Sequence, residues 1–114
     1  MILKSKEKNS YENFLERLHQ IPKRNIVFPD RLNPANRETE EKYLWTIDNK
    51  IEIIKNLTIE DVADKAPEQD LNRPDQICYF FFSARKSGYG ELYIKIAERP
   101  GKPLMIVISL HENY

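Results

Sequence analysis

Cysteine and glycine are scarce in this 114-residue chain, and each shortage excludes a class of site. Cys78 is the only cysteine, so an intramolecular disulfide is impossible and a thiolate-rich metal site cannot be built. A lone cysteine also favours a reducing compartment. Gly88 and Gly90, two of the three glycines, flank Tyr89 in a predicted turn, and no glycine-rich phosphate-binding motif is present.

Long apolar segments are also missing. The longest apolar run, residues 104–110, is far too short to cross a bilayer. The N-terminal residues, MILKSK, lack the apolar stretch of a secretory signal peptide. We therefore expect a cytoplasmic protein that has no membrane partner.

The chain has no excess of either charge, since 18 basic side chains balance 18 acidic ones. A nucleic-acid-binding protein usually carries a basic excess, because neutralising phosphates supplies much of its affinity. The charges are unevenly placed, however: +3 over residues 1–36, −5 over residues 37–70 and +2 over residues 71–114. The two basic ends leave room for one basic face on a neutral molecule.

Apolar and charged residues are present in the proportions of a folded protein. The hydrophobic fraction is 40% and the charged fraction is 32%, with many aromatic and β-branched side chains. This length and composition predict a single domain over residues 1–114, with residues 1–9 flexible.

Helical spacing of apolar residues is confined to the first part of the chain. It predicts one helix after an N-cap at Ser10 and a second over residues 36–47, with Leu44 on its apolar face. A third helix is expected after an Asp48 cap. Thr58 and the acidic residue three positions later form a capping box that starts a short turn.

Strand patterns occupy the last third of the sequence. The patterns predict three strands joined by tight turns, over residues 76–83, 91–98 and 104–111. Strands connected in this way form an antiparallel meander. Residues 25–28 form a short apolar piece that suits an edge strand, and residues 65–75 read as a loop. The fold class is therefore α+β, with N-terminal helices packed on a C-terminal antiparallel β-meander.

Alternation along the last two strands predicts which side chains share a face. The turn length would pair Ile94 with either Ile106 or Ile108. In both registers four polar side chains occupy the face opposite the helices: Tyr93, Lys95, Ser109 and His111.

This combination of side chains suits the cleavage of RNA, which carries its own nucleophile in the 2′-hydroxyl. His111 is a candidate acid or base near neutral pH. Tyr93 is a candidate proton-transfer or stacking group, and Lys95 is a candidate cation for the phosphate. Arg73, Arg85 and Lys86 are candidate RNA-binding residues. The reaction requires neither a metal nor a cofactor, and we expect none.

The hypothesis that the protein is not an enzyme also fits the sequence. The same alternation describes any half-exposed strand, and His111 could simply be the polar end of one. The zero net charge and the acidic segment over residues 37–70 favour a protein-interaction module, such as an antitoxin-like or immunity-like partner.

Residues 90–96 (GELYIKI) and 105–112 (MIVISLHE) resemble the C-terminal hairpin of the MqsR-type toxins, members of the wider RelE-like ribonuclease fold. Those toxins end in a similar G-x-x-Y-x-K-x … h-h-V-S-F-K-E pattern, with h an apolar residue. Residues 57–61 (LTIED) resemble their L-S-E-S-D helix start. The resemblance covers residues 48–112.

The resemblance implies an endoribonuclease toxin, an mRNA interferase, that is neutralised by a cognate antitoxin protein; whether it acts on the ribosome stays open. Tyr93 matches the functional tyrosine of the family. His111 stands where the family has a lysine, a departure that still allows proton transfer. Lys65 lies near the position of another family lysine.

Overall fold

Three helices and a five-stranded sheet form the part of the chain that the computed structural model describes, namely residues 3–29, 33–70, 77–85, 88–99, 101 and 103–112. The helices are α1 (Ser5–Gln20), α2 (Pro34–Tyr43) and α3 (Ile47–Lys55). The strands are β1 (Ile26–Val27), β2 (Glu68–Gln69), β3 (Cys78–Ala84), β4 (Leu92–Glu98) and β5 (Met105–Glu112). Within these residues, every helix is too short or too polar to span a bilayer.

The sheet has the strand order β1-β5-β4-β3-β2 and is mostly antiparallel. Strands β3, β4 and β5 form the predicted meander, and the α+β class is confirmed. β1 is the predicted edge strand and pairs parallel with β5, Ile26 opposite Met105. The loop predicted over residues 65–75 is wrong at β2, where Glu68 pairs with Tyr79. A strand of two residues has too few positions to show alternation, so no pattern in the sequence indicates β2.

Helix α1 begins five residues before the expected cap. Ser10 lies inside the helix, and its hydroxyl donates to the Lys6 carbonyl at 3.1 Å. The helix start is instead stabilised by Glu7, whose carboxylate accepts the Lys4 N–H at 2.9 Å. Residues 5–9, expected to be flexible, therefore form the first turns of α1.

The predicted helix over residues 36–47 is α2, which ends four residues early, and the predicted third helix is α3. α2 ends at Tyr43 because Leu44 adopts the left-handed conformation, with φ 54° and ψ 43°. Thr46, rather than Asp48, caps α3: its hydroxyl accepts the Asn49 N–H at 3.2 Å. The predicted capping box at Thr58 is confirmed, since Asp61 accepts the Thr58 N–H at 2.9 Å.

Leu44 is expected to destabilise the isolated domain. Its side chain is 83% exposed, so it buries little apolar area, and a residue with a Cβ atom is strained in the left-handed region. We expect Leu44→Gly to raise the free energy of unfolding by about 1 kcal/mol in urea denaturation. Leu44→Ala keeps the Cβ atom and should give little of this gain; an equal gain from alanine would contradict the strain explanation.

The core lies between the helices and one face of the sheet. The Phe14 ring of α1 stacks on Phe80 of β3 with 4.1 Å between ring centroids. Tyr11 packs edge-on against Phe80 and Phe82, at 5.5 and 5.6 Å. The Tyr11 hydroxyl also accepts the Phe81 N–H and donates to the Lys65 carbonyl, at 3.1 and 2.8 Å. Burial raises the pKa of Tyr11 to about 12, so the phenol remains a neutral bridge between β3 and the segment before β2.

Candidate functional site

The candidate site lies on the sheet face opposite the core. Pairing of β4 with β5 places Tyr93 opposite His111 and Lys95 opposite Ser109. The expectation that these four side chains share one face is confirmed. We call this side of the sheet, which also carries Tyr79, Phe81 and Ser83 of the adjacent β3, the polar face; Ser109 and Phe81 are buried there.

The expected register is wrong, because β5 contains a bulge. Ile94 pairs with Leu110, neither Ile106 nor Ile108. Consecutive residues of β4, Lys95 and Ile96, pair with Ser109 and Val107, so Ile108 is an extra residue in β5. Strict alternation, which the predicted register assumed, cannot reveal such an insertion.

Tyr93 and His111 form the centre of the polar face. Their ring centroids are 5.4 Å apart and the ring planes are tilted by 47°. The His111 Nδ1 atom lies 2.8 Å from the Glu112 carbonyl oxygen. A carbonyl oxygen only accepts, so Nδ1 carries the proton, and the neutral imidazole has its free lone pair on Nε2. His111 is thus held in the tautomer that can act as a base through Nε2.

Lys95 shares the polar face, but its ammonium lies over β3. The Nζ atom is 4.5 Å from the centroid of the Tyr79 ring and 5.8 Å from that of Phe81. Contacts with aromatic faces orient an ammonium without neutralising its charge. A phosphate at Tyr93 and His111 would require this flexible side chain to swing from Tyr79 toward β5.

Of the three predicted RNA-binding residues, Arg85 alone falls within the described residues; Arg73 and Lys86 lie outside them. The Arg85 side chain is exposed, and its Nε atom is 3.5 Å from a Glu91 carboxylate oxygen. Ser83 donates to the same oxygen at 2.6 Å. Arg85 and Tyr93 both line a cleft of about 520 Å³ at one end of the polar face.

Lys65 reaches the polar face from the segment before β2. Its Nζ atom is 4.2 Å from the Phe81 ring centroid and 2.8 Å from a Glu68 carboxylate oxygen. The hydrogen bond between them lowers the pKa of Glu68 and raises the pKa of Lys65. Both groups therefore stay charged near neutral pH, and neither is poised as an acid or a base.

Two polar residues of α2 bind the outer edge of β5, and neither was predicted as a site residue. The Asn36 amide contacts the backbone at Ile108 and Leu110, and the Thr39 hydroxyl contacts Glu112. Asparagine and threonine are poor helix formers, and Asn36 and Thr39 stand three positions apart, on one face of a predicted helix. This pattern is the feature of the sequence that could have indicated them.

Neither a cysteine nucleophile nor a metal site is supported by the described residues. Burial raises the pKa of the Cys78 thiol, so it stays protonated near neutral pH and is a poor nucleophile. Among the described side chains, no group of three or more His, Cys, Asp or Glu residues could hold a metal ion. A phenol, an imidazole and an ammonium on one face can transfer protons and attract an anion.

Comparison with known proteins identifies no relative: no protein-family model, no curated protein and no solved structure matches the chain.

Proposed function

We propose that the protein is a metal-independent endoribonuclease that cleaves mRNA by attack of the 2′-hydroxyl. The observation that carries the proposal is the direct pairing of Tyr93 with His111, whose rings are 5.4 Å apart and whose imidazole presents Nε2 as a base. Lys95, on the neighbouring residue pair of the same face, adds the positive charge that a phosphate needs when its ammonium leaves the Tyr79 ring and turns toward β5.

Each side chain has a defined role in this proposal. The Nε2 atom of His111 removes the 2′-hydroxyl proton, and the resulting alkoxide attacks the adjacent phosphorus. The bond between phosphorus and the 5′-oxygen breaks, leaving a 2′,3′-cyclic phosphate. The phenol of Tyr93 donates a proton to the departing 5′-oxygen. Lys95 stabilises the negative charge that accumulates on the phosphoryl oxygens.

The biological setting of the proposal follows from the resemblance of residues 90–96 and 105–112 to the MqsR-type toxins. An enzyme that destroys mRNA would act in the cytoplasm and would be neutralised by a cognate antitoxin protein. Exposed bases could stack on Tyr93 and Tyr79, since aromatic rings bind single-stranded RNA without strict sequence preference.

Induced expression in bacteria tests this function. We expect the wild-type chain to arrest growth and to fragment total mRNA. The double variant Tyr93→Phe/His111→Ala should do neither, because both proton-transfer groups are lost. His19→Ala, which alters the other histidine of the chain, is the matched control and should behave as wild type. Intact mRNA and normal growth with folded wild-type protein would contradict the proposal.

A second candidate function, a protein-interaction module, is favoured by one observation. The junction of α2 and α3 presents two large apolar side chains to solvent, Leu44 at 83% and Ile47 at 52% exposure. The backbone of Leu44 is also strained, so a leucine at this position does not stabilise the fold and its presence needs another reason. If the wild-type chain leaves mRNA intact, Leu44 and Ile47 become the first residues to test for partner binding.

A further inference from the structure

The orientation of His111 depends on the bulge in β5. Met105 and Val107 are buried against the helices. Strict alternation from these residues would place Ser109 and His111 in the core as well, because side chains two positions apart share a face. The extra residue, Ile108, reverses this order, so that Leu110 enters the core and His111 joins Tyr93.

A single side chain binds the backbone on both sides of Ser109. The Asn36 Nδ2 atom donates to the Ile108 carbonyl at 2.9 Å, and the Asn36 Oδ1 atom accepts the Leu110 N–H at 2.8 Å. A carboxamide supplies both a donor and an acceptor, whereas a carboxylate only accepts. Asn36 thus takes the place of a neighbouring strand beyond the end of the short β1.

The next turn of α2 continues this pattern towards His111. Thr39 is completely buried, and its hydroxyl accepts the Glu112 N–H at 3.1 Å. The carbonyl of the same Glu112 residue accepts the Nδ1–H of His111. The residue whose carbonyl accepts the imidazole proton is therefore held by α2 through its backbone N–H.

We propose that Asn36, assisted by Thr39, is the positioning residue for His111: it stabilises the bulge that turns the imidazole to the polar face and fixes its tautomer. The catalytic consequence rests on the proposed ribonuclease function. The effect of Asn36 on the His111 tautomer is independent of that function, since the tautomer can be measured without RNA.

Nitrogen NMR of the two histidines tests the proposal directly. The His19 Nε2 atom lies 2.8 Å from the Leu57 carbonyl, so His19 carries its proton on Nε2, opposite to His111, and serves as an internal reference. In Asn36→Asp, the donor to Ile108 is lost. We expect the His111 signals to shift towards a mixture of tautomers while those of His19 stay unchanged. Asn13→Asp makes the same chemical change at an exposed position of α1 and should affect neither.

Cleavage kinetics give the second readout. We expect Asn36→Asp to lower kcat on single-stranded RNA by about 10–100-fold, with KM changed less than about twofold, because a misplaced group acts on the chemical step. If Asn36→Asp fails to fold, Thr39→Val removes the acceptor for Glu112 and should change the His111 tautomer in the same direction.

The two readouts separate the possible failures. An unchanged His111 tautomer in a folded Asn36→Asp or Thr39→Val protein would overturn the positioning role. A wild-type protein that leaves RNA intact while its Asn36→Asp variant shows the tautomer change would overturn the ribonuclease function alone.

Discussion

Replacing His111 by glutamine is expected to slow cleavage of single-stranded RNA by the purified protein by about 10²–10⁴-fold, the usual contribution of a general acid or base. Glutamine is polar and of similar size, but it cannot exchange a proton near neutral pH. The side chain is half-buried at the end of β5, so the fold should tolerate the change. Single-turnover cleavage of a labelled oligonucleotide measures the effect.

The other histidine provides the control for this experiment. His19→Gln alters a residue of α1 that bonds to the Leu57 carbonyl and should leave the cleavage rate within about twofold of wild type. Circular dichroism and thermal unfolding establish that each variant is folded. Equal rates for His111→Gln and wild type would remove His111 from the mechanism and leave Tyr93 and Lys95 as the candidates.

Phe82→Ala is expected to lower the free energy of unfolding by about 3–5 kcal/mol, the range for removing a buried aromatic side chain. Phe82 is fully buried in β3, where it contacts both Tyr11 and Phe14 of α1. Small domains are stable by only about 5–15 kcal/mol, so this loss could remove most of the stability. Urea denaturation monitored by the fluorescence of Trp45 measures it.

Two further variants make the Phe82 result specific. Phe82→Leu keeps most of the buried volume and should cost clearly less than alanine, since the residual cavity is smaller. Val27→Ala, on the partly exposed edge strand β1, should change the free energy of unfolding by less than about 1 kcal/mol. A Phe82→Ala loss as small as that of Val27→Ala would show that α1 does not depend on β3 for its packing.

The sequence predicted the sheet better than the helices. Alternation in β4 and the dense aromatic run of β3 are strong local signals, and both strands lie where they were expected. Helix boundaries depend on weaker signals. The cap at Lys4 uses a side chain three residues away, and the break at Leu44 requires a backbone conformation that leucine rarely adopts. Neither feature follows from a preference of the residue itself.

The shared face of Tyr93 and His111 was predicted correctly, although the register behind it was wrong. The expected pairing assumed strict alternation through β5, and the bulge at Ile108 breaks that alternation. Met105 and Val107 are buried in the core, although strict alternation from His111 would place them on the polar face. The bulge is stabilised by a contact with α2, which is distant from β5 in the sequence. A contact between distant segments cannot be predicted from the residues around the bulge.

The parallel pairing of β1 with β5 has a consequence for how the protein forms. Ile26 pairs with Met105, and α2 binds the backbone of β5, so most of the chain separates the partners. Closing such long loops reduces the conformational entropy of the chain before the contacts between β1, α2 and β5 can offset that loss. Folds with many contacts between distant residues therefore form slowly. A nascent chain can form α1 and α2 early, but it cannot complete the sheet until β5 has been synthesised. The polar face, which needs β4 and β5 together, therefore cannot form before β5 is available.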